Sequence, residues 1–325
     1  ALRLMRAVRF AAQLGFTIEA TTWEAGTRHA KLLDRIAIER IRDEFAKVII
    51  TYRAMEGVQM FEDMGLLRFI VPELRDGIGV GQNLHHIYTV WEHNLRALAY
   101  TAKKDYSLEV RMASLLHDVG KPRTKQGEGK YSTFYSHEVV GGRMAKNILE
   151  RLRFSKEFVE VVAHLVRYHL FYYNVGEVSE AGVRRFLRRV GPENIDDLIK
   201  VREADRIGSG VPKAVPYKLR HLLFMIEKVK RDPISPKMLK VNGEDIMKVL
   251  GIPPGPKVGQ ILNALMEEVL EDPSRNTEEY LAARIKYLGE LGEKELVELS
   301  KKGKEAKDEF ERGVEEEMKK EFYVK

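Results

Sequence analysis

The feature that most constrains this chain is the recurrence of apolar residues at spacings of three, four and seven. That is the period of one face of an α-helix, and a strand, with its period of two, cannot use it. Leu108, Met112, Leu115, Leu116 and Val119 share one such face. Ile38, Ile41, Phe45, Val48 and Ile49 make a second, and Phe158, Val161, Val162 and Leu165 a third; each is longer than a typical strand. No comparable alternating pattern recurs. Breaks at Asp76–Gly81, Gly120–Lys130, Gly208–Pro216, Asp232–Pro236 and Pro253–Pro256 divide the chain into bundle-sized blocks. Asn276 followed by Glu279 has the spacing of a capping box and predicts a helix from there through Ile285. The expected fold is all-α, elongated and multi-lobed, and 325 residues are enough for a sizeable core.

The chain contains no cysteine, which excludes disulfides, a thiolate nucleophile and cysteine-ligated zinc or iron–sulfur sites. Any metal must therefore sit on His, Asp or Glu. No stretch approaches 18 apolar residues, and Ala1–Phe16 is an arginine-punctuated amphipathic run rather than a signal peptide. A cytoplasmic protein without a membrane partner is expected.

His117-Asp118 is the sharpest local feature. It closes the helix that begins near Leu108 and is followed by Gly120, Lys121 and Pro122, which stop that helix. Neutral imidazole nitrogen and anionic carboxylate oxygen together suit a divalent cation, but two ligands do not complete a site. Candidate partners are His93 on the preceding helix, His137 in Ser136-His137-Glu138, His169 at the end of the Phe158 helix, and Asp205 in Glu203-Ala204-Asp205-Arg206. His164 and His169 are five apart, so on a helix they diverge by about 140° and at most one joins a cluster. His86 and His93 are seven apart and share a face, so spacing does not choose between them. A lone histidine in a helical protein is more often a surface or hydrogen-bonded residue than a ligand; here the collective order carries the reading.

That order, H…HD…D from His93 through His117-Asp118 to Asp205 with His137 and His169 between, resembles the HD phosphohydrolase superfamily. Leu115-Leu116-His117-Asp118-Val119-Gly120-Lys121-Pro122 is the specific match. The resemblance implies a central HD-domain helical bundle in which His93, His117, Asp118 and Asp205 hold one divalent metal. His137 and His169 would serve a second metal or the substrate phosphate. His117 and Asp118 are then catalytic, Lys121 holds a phosphate oxygen, and the metal is Mg, Mn or Ni, with zinc also compatible with the donors.

A second resemblance spans nearly the whole chain. Ala1–Phe16, reading ALRLMRAVRFAAQLGF, and Ile36–Glu44, reading IAIERIRDE, resemble the neck of the bacterial tRNA nucleotidyltransferase and poly(A) polymerase family, the class II CCA-adding enzymes. Val241–Ile246 and Pro254–Gly259 resemble body or tail elements of that family. The implied layout is a neck at 1–76, an HD domain at 77–210, a body or tail domain at 211–288 and a charged helical extension at 289–325. The family's head, with a Gly-Ser motif, an Asp-x-Asp metal motif and an Arg-Arg-Asp motif, has no counterpart in the sequence. By resemblance, ATP and CTP are substrates only where such a head is present, and Arg3 matches the arginine of the protein template that reads the incoming base. A guanidinium suits acceptors on a base edge.

The partner implied is tRNA or another RNA, together with nucleotides. Between Gly120 and Val190 there are 14 Lys and Arg against 7 Glu and no Asp. Arg184, Arg185, Arg188 and Arg189 form two i,i+4 pairs and predict a basic ridge able to meet phosphates. Phe171, Tyr172 and Tyr173 could stack a base, although such a triplet is more often core. From Gly289 on, 12 acidic residues meet 9 basic ones, which predicts a solvated helix rather than an RNA clamp. Two alternatives to the polymerase-family reading stand: a self-standing HD phosphohydrolase acting on nucleotides or 2′,3′-cyclic phosphates, and a non-catalytic RNA-binding module.

Overall fold

The apolar spacings do become helices. A computed structural model describes residues 2–83, 87–292, 295, 296 and 299, and among them there are seventeen α-helices and no strand, only an isolated bridge between Gln126 and Thr133. The helices are α1 (Leu2–Leu14), α2 (Ala20–His29), α3 (Ile38–Ile49), α4 (Ala54–Asp63), α5 (Leu67–Ile70), α6 (Pro72–Arg75), α7 (Val90–Lys103), α8 (Leu108–Leu116) and α9 (Lys121–Thr124). They continue with α10 (His137–Arg151), α11 (Lys156–Tyr168), α12 (Glu180–Val190), α13 (Ile195–Gly208), α14 (Tyr217–Val229), α15 (Gly243–Leu250), α16 (Pro256–Glu271) and α17 (Glu278–Glu290). Ala1, His86 and, of the extension expected at 289–325, residues 293, 294, 297, 298 and 300–325 lie outside the described residues.

Side-chain caps fix where the helices start. Thr89 and Glu92 close a full capping box on α7, and Asn242 with Asp245 does the same on α15. Ser107, Ser155 and Ser179 each accept the backbone N–H three residues on, at the starts of α8, α11 and α12. The capping residue expected at 276 is instead Thr277, whose hydroxyl accepts from the Tyr280 N–H. Asn276 is engaged elsewhere: its Nδ2 donates to the Met238 carbonyl and its Oδ1 accepts from the Lys240 N–H.

The described chain divides into two compact units, the first comprising residues up to Leu170 with Glu193–Ala214 and the second Phe171–Pro192 with the described residues from Val215 on. The segments expected at 1–76 and 77–170 fall in the first unit, and 171–192 in the second. Packing explains both groupings.

In the first unit α1 packs on α3 and α4, and Glu44 of α3, buried, receives Arg9 Nε at 2.8 Å and Arg6 Nε at 3.4 Å. Arg111 of α8 joins this layer to the helices that carry the candidate ligands. Its guanidinium is buried and donates to the carbonyls of Ile50 at 2.7 Å and Thr51 at 3.1 Å, past the end of α3, and to Tyr106 at 2.8 Å. Around the candidate ligands, α7 packs on α8 and α13, α10 on α11, and α11 on α8.

In the second unit α12 packs on α14 and α16, and α15, α16 and α17 pack mutually. Phe171 is buried against Phe186, with ring centroids 5.1 Å apart, and Tyr173 is buried too, so these two members of the aromatic triplet are core. The structure engages three arginines of the expected ridge with protein acceptors. Arg184 is buried, with Nε 2.7 Å from Asp232 Oδ2 and Nη1 donating to the Leu270 carbonyl at 3.0 Å. Arg185 meets Glu267 at 3.1 Å and Glu271 at 2.8 Å, and Arg188 meets Glu267 at 2.8 Å. These three cations fasten α12 to α16 and are neutralised there. Arg189, on the same helix, is half-buried.

Candidate metal centre

Helix ends bring the site together. His117 is the residue that ends α8, His169 ends α11, His137 opens α10, and His93 lies in the first turn of α7. Asp205 lies in the last turn of α13, and Asp118 follows His117 in the turn toward α9. Two glycines permit the approach. A Cβ at Gly120 would stand 2.3 Å from the His137 carbonyl oxygen and 2.7 Å from the Gly141 nitrogen. A Cβ at Gly208 would stand 2.9 Å from the His93 carbonyl oxygen and 3.1 Å from His93 Nδ1. Ser136, just before His137, holds a left-handed φ of 58°, an arrangement that costs a non-glycine residue roughly 1–2 kcal/mol and is found where neighbours dictate the backbone.

His93, His117, Asp118, His137 and His169 are all buried. His93 Nε2 lies 2.8 Å from His117 Nε2 and 3.1 Å from Asp118 Oδ2. Asp205 Oδ1 lies 3.3 Å from His93 Nε2 and 3.7 Å from His117 Nε2, and its other oxygen accepts from Arg202 Nη1 at 2.6 Å. On the other side of Asp118, Oδ1 is 3.4 Å from His137 Nε2 and 3.7 Å from His169 Nε2. Two ligand triplets therefore share one carboxylate: His93, His117 and Asp118, and Asp118, His137 and His169.

The tautomers follow from the backbone. Nδ1 of His117 lies 2.8 Å from the Ser114 carbonyl oxygen, Nδ1 of His137 2.8 Å from that of Phe134, and Nδ1 of His169 2.7 Å from that of Val166. A carbonyl oxygen only accepts, so each Nδ1 carries the hydrogen and each Nε2 faces the centre. The Asp118 oxygens, both buried, receive no well-directed hydrogen bond. Lone pairs on His137 and His169 thus converge on a carboxylate oxygen, an arrangement that repels itself until a cation stands among them. The donor set fits a divalent metal, with ring tautomers already fixed for ligation.

The protonation pattern of the bare site says the same. Burial opposes charge on His117, but Asp118 and then Asp205 override it and push the imidazole up to about 10. Burial works against the charge on Asp118 as well, yet His117 and Lys121 hold its carboxyl well below the usual carboxylate range. Asp205 is likewise held low against burial, by His117, His93 and Arg202. Burial pushes His137 down with Asp118 opposing, and burial with His117 and His137 pushes His169 down to about 3. A proton on His117 stands where a cation is wanted.

Lys121 is buried, its Nζ 2.7 Å from Asp118 Oδ2 and donating to Gln82 Oε1 at 2.6 Å. Gln82 was not foreseen. It is buried, its Nε2 donates to the Tyr88 carbonyl at 3.2 Å, and it sits 39 residues from Lys121, where local spacing carries no signal. Gly208 was missed for the same reason, as was the close approach of Gly120, read only as a helix stop, to His137; Arg202 lies just three residues before Asp205 on α13 and was overlooked. His164, five residues before His169, packs against Tyr168 on its own helix, the two rings tilted and 4.6 Å apart. Arg3, the expected template residue, is exposed on α1.

Comparison with known proteins assigns the family. The chain is 36% identical over 297 residues to the CC-adding tRNA nucleotidyltransferase of Thermus thermophilus, covering 89% of this chain and 67% of that relative. The chain belongs to the tRNA nucleotidyltransferase family. It is 35% identical over 279 residues to the A-adding tRNA nucleotidyltransferase of Deinococcus radiodurans, covering 82% of this chain and 63% of the relative. Residues 15–78 match the model described as the probable RNA and SrmB-binding site of polymerase A, and residues 90–209 match the HD domain, which contains every candidate ligand. The crystal structure of the Bacillus stearothermophilus CCA-adding enzyme in complex with CTP shares the fold, with a TM-score of 0.60 at 22% identity over 88% of this chain and 61% of that one. This family member thus spans about two thirds of the length of the relatives it matches.

Proposed function

We propose that the chain is the RNA-holding, HD-bearing part of a tRNA nucleotidyltransferase, acting at tRNA 3′ ends, and that its buried cluster is a divalent-metal phosphohydrolase site. In this reading nucleotide addition belongs to a polypeptide that includes a head domain, ATP and CTP are its substrates, and Arg3 helps to read the incoming base. The relatives named for CC and A addition support the RNA assignment, as does the match at 15–78 to an RNA-binding model.

One observation carries the hydrolase reading: the imidazole Nε2 atoms of His93, His117, His137 and His169 converge on Asp118, three of the rings being fixed by backbone carbonyls. His93, His117, Asp118 and Asp205 would hold one Mg, Mn or Ni ion, and His137 and His169 a second or the substrate phosphate. A bound divalent ion supplies Lewis acidity toward a phosphoryl oxygen and makes a nucleophile available near neutral pH. The protein orients the rings through Ser114, Phe134 and Val166, and Lys121 places an ammonium beside Asp118 for a phosphate oxygen.

The test is hydrolysis of a 2′,3′-cyclic nucleotide by the purified chain with Mn²⁺, Ni²⁺ or Mg²⁺, in wild type, Asp118→Ala and His117→Ala. Metal-dependent turnover lost in both variants supports the reading. If no metal gives turnover while tRNA still binds, the chain is a non-catalytic RNA-binding module for this substrate class.

A further inference from the structure

The second unit carries an aromatic surface that the HD site does not use. Tyr217 and Phe224 of α14 are 63% and 62% exposed, and they flank His221 at i−4 and i+3 on one face of the helix. The His221 ring lies 6.0 Å, centroid to centroid, from each of them. From beneath, Tyr173 holds that imidazole, its hydroxyl 2.5 Å from His221 Nδ1 with the two rings 5.8 Å apart. The opposite face of α14 buries Leu219, Leu222 and Val229, so the helix is anchored while the aromatic face is open.

The charge around this face is one-sided. From Tyr217 to Lys240 there are 7 Lys and Arg against 2 Asp and Glu. Some of these cations are engaged: Lys228 pairs with Glu180 and Lys230 with Glu227. Arg220 and Arg231 are exposed, and among the described residues neither meets a carboxylate. Three rings in a row with basic side chains beside them match what a single nucleic-acid strand offers: faces that stack and phosphates that seek cations. A protein partner with an apolar patch would leave that positive charge uncompensated.

We propose that Tyr217, His221 and Phe224 form a stacking platform for unpaired bases of an RNA strand, with Arg220 beside them for its phosphates. The platform deepens the RNA-handling reading and rests on it. Its preference is for single strands, because the bases of a duplex hide their faces from a side chain.

The experiment measures the binding of a labelled single-stranded RNA of about twelve nucleotides, and of its duplex, to the full chain over a range of salt. The wild type favours the single strand. Tyr217→Ala and Phe224→Ala each weaken that binding by about 5- to 100-fold without changing its salt slope, while Tyr217→Phe retains it. Arg220→Gln lowers the salt slope by roughly 0.7. Thermal melting checks that each variant is folded. Single-strand binding by Tyr217→Ala/Phe224→Ala within twofold of wild type overturns the platform while leaving RNA handling intact. Sedimentation showing a dimer that these substitutions dissolve also overturns it, assigning the face to a second copy of the chain. If wild type binds neither RNA form, the RNA-handling reading and the platform fall together.

Discussion

Gly120→Ala is the substitution most diagnostic of how the site is assembled. A Cβ there would stand 2.3 Å from the His137 carbonyl oxygen and 2.7 Å from the Gly141 nitrogen, both backbone atoms that no rotamer change can move. Reaching even 3.0 Å from that oxygen requires the turn holding Asp118 and the start of α10 to separate by roughly 0.7 Å in a close-packed interior. Overpacking of this kind costs about 1–3 kcal/mol. The local cost to ligation is larger in proportion, because His137 Nε2 and Asp118 Oδ1, now 3.4 Å apart, are carried by the two parts that separate. Ligand positions are tolerated to about 0.2 Å, and disturbing the groups that orient metal ligands typically lowers affinity 10- to 100-fold. Calorimetric titration of Mn²⁺ into the metal-free variant reads the second effect, and a denaturant midpoint reads the first. A variant that binds Mn²⁺ as tightly as wild type and unfolds at the same midpoint would refute the claim that this contact sets the site.

Other expectations follow from the same contacts. Gly259 lies exposed within α16 with no atom near its absent Cβ, so Gly259→Ala raises stability by roughly 0.5–1 kcal/mol, seen as a higher denaturant midpoint; a lower one contradicts it. Arg111→Met leaves the carbonyls of Ile50, Thr51 and Tyr106 without their buried donor and costs about 3 kcal/mol; a loss under 1 kcal/mol would show that the joint between α8 and the end of α3 is incidental. In the metal-free protein His117 sits at about 10, above its unfolded value of 6.5. Its contribution is therefore complete below pH 6.5 and is lost, by up to about 1.4 kcal/mol per pH unit, as pH rises toward 10. His169, held at about 3, works in the other window: stability falls as pH drops from 6.5 toward 3, because the unfolded chain takes up a proton that the folded site refuses. Since a ligand must shed its proton, Mn²⁺ binding at pH 7.5 releases about one proton from His117, measured by calorimetry in buffers of different ionisation enthalpy; no release contradicts the assignment.

Much of the candidate centre was legible because its residues sit at helix ends, and helix ends leave local signals. Gly120 and Pro122 mark the stop after His117, and the apolar period running to Leu165 places His169 at the close of α11. His137 and Asp205 entered only through their order along the chain and the resemblance it carries. What spacing could not show depends on contacts far apart in sequence. Gln82 reaches Lys121 across 39 residues, and the glycines that let the segments approach are ordinary until the opposing backbone is in place. The arginines of α12 read as a ridge able to meet phosphates for the same reason. Their carboxylate partners Glu267 and Glu271 arrive about eighty residues later, and two i,i+4 arginine pairs look alike whether they face water or a neighbouring helix. Asn276 carried a capping signal one residue early because its amide is used to tie Met238 and Lys240 instead.

The account stands most directly on the claim that the buried cluster is a divalent-metal centre. Diffraction from crystals of the full chain soaked in Mn²⁺, collected at the manganese absorption edge, tests it. An anomalous peak bounded by His93, His117, Asp118 and Asp205, absent from Asp118→Ala crystals soaked alike, is the predicted result. Manganese bound elsewhere on the chain, with these side chains unchanged and no peak among them, would contradict it.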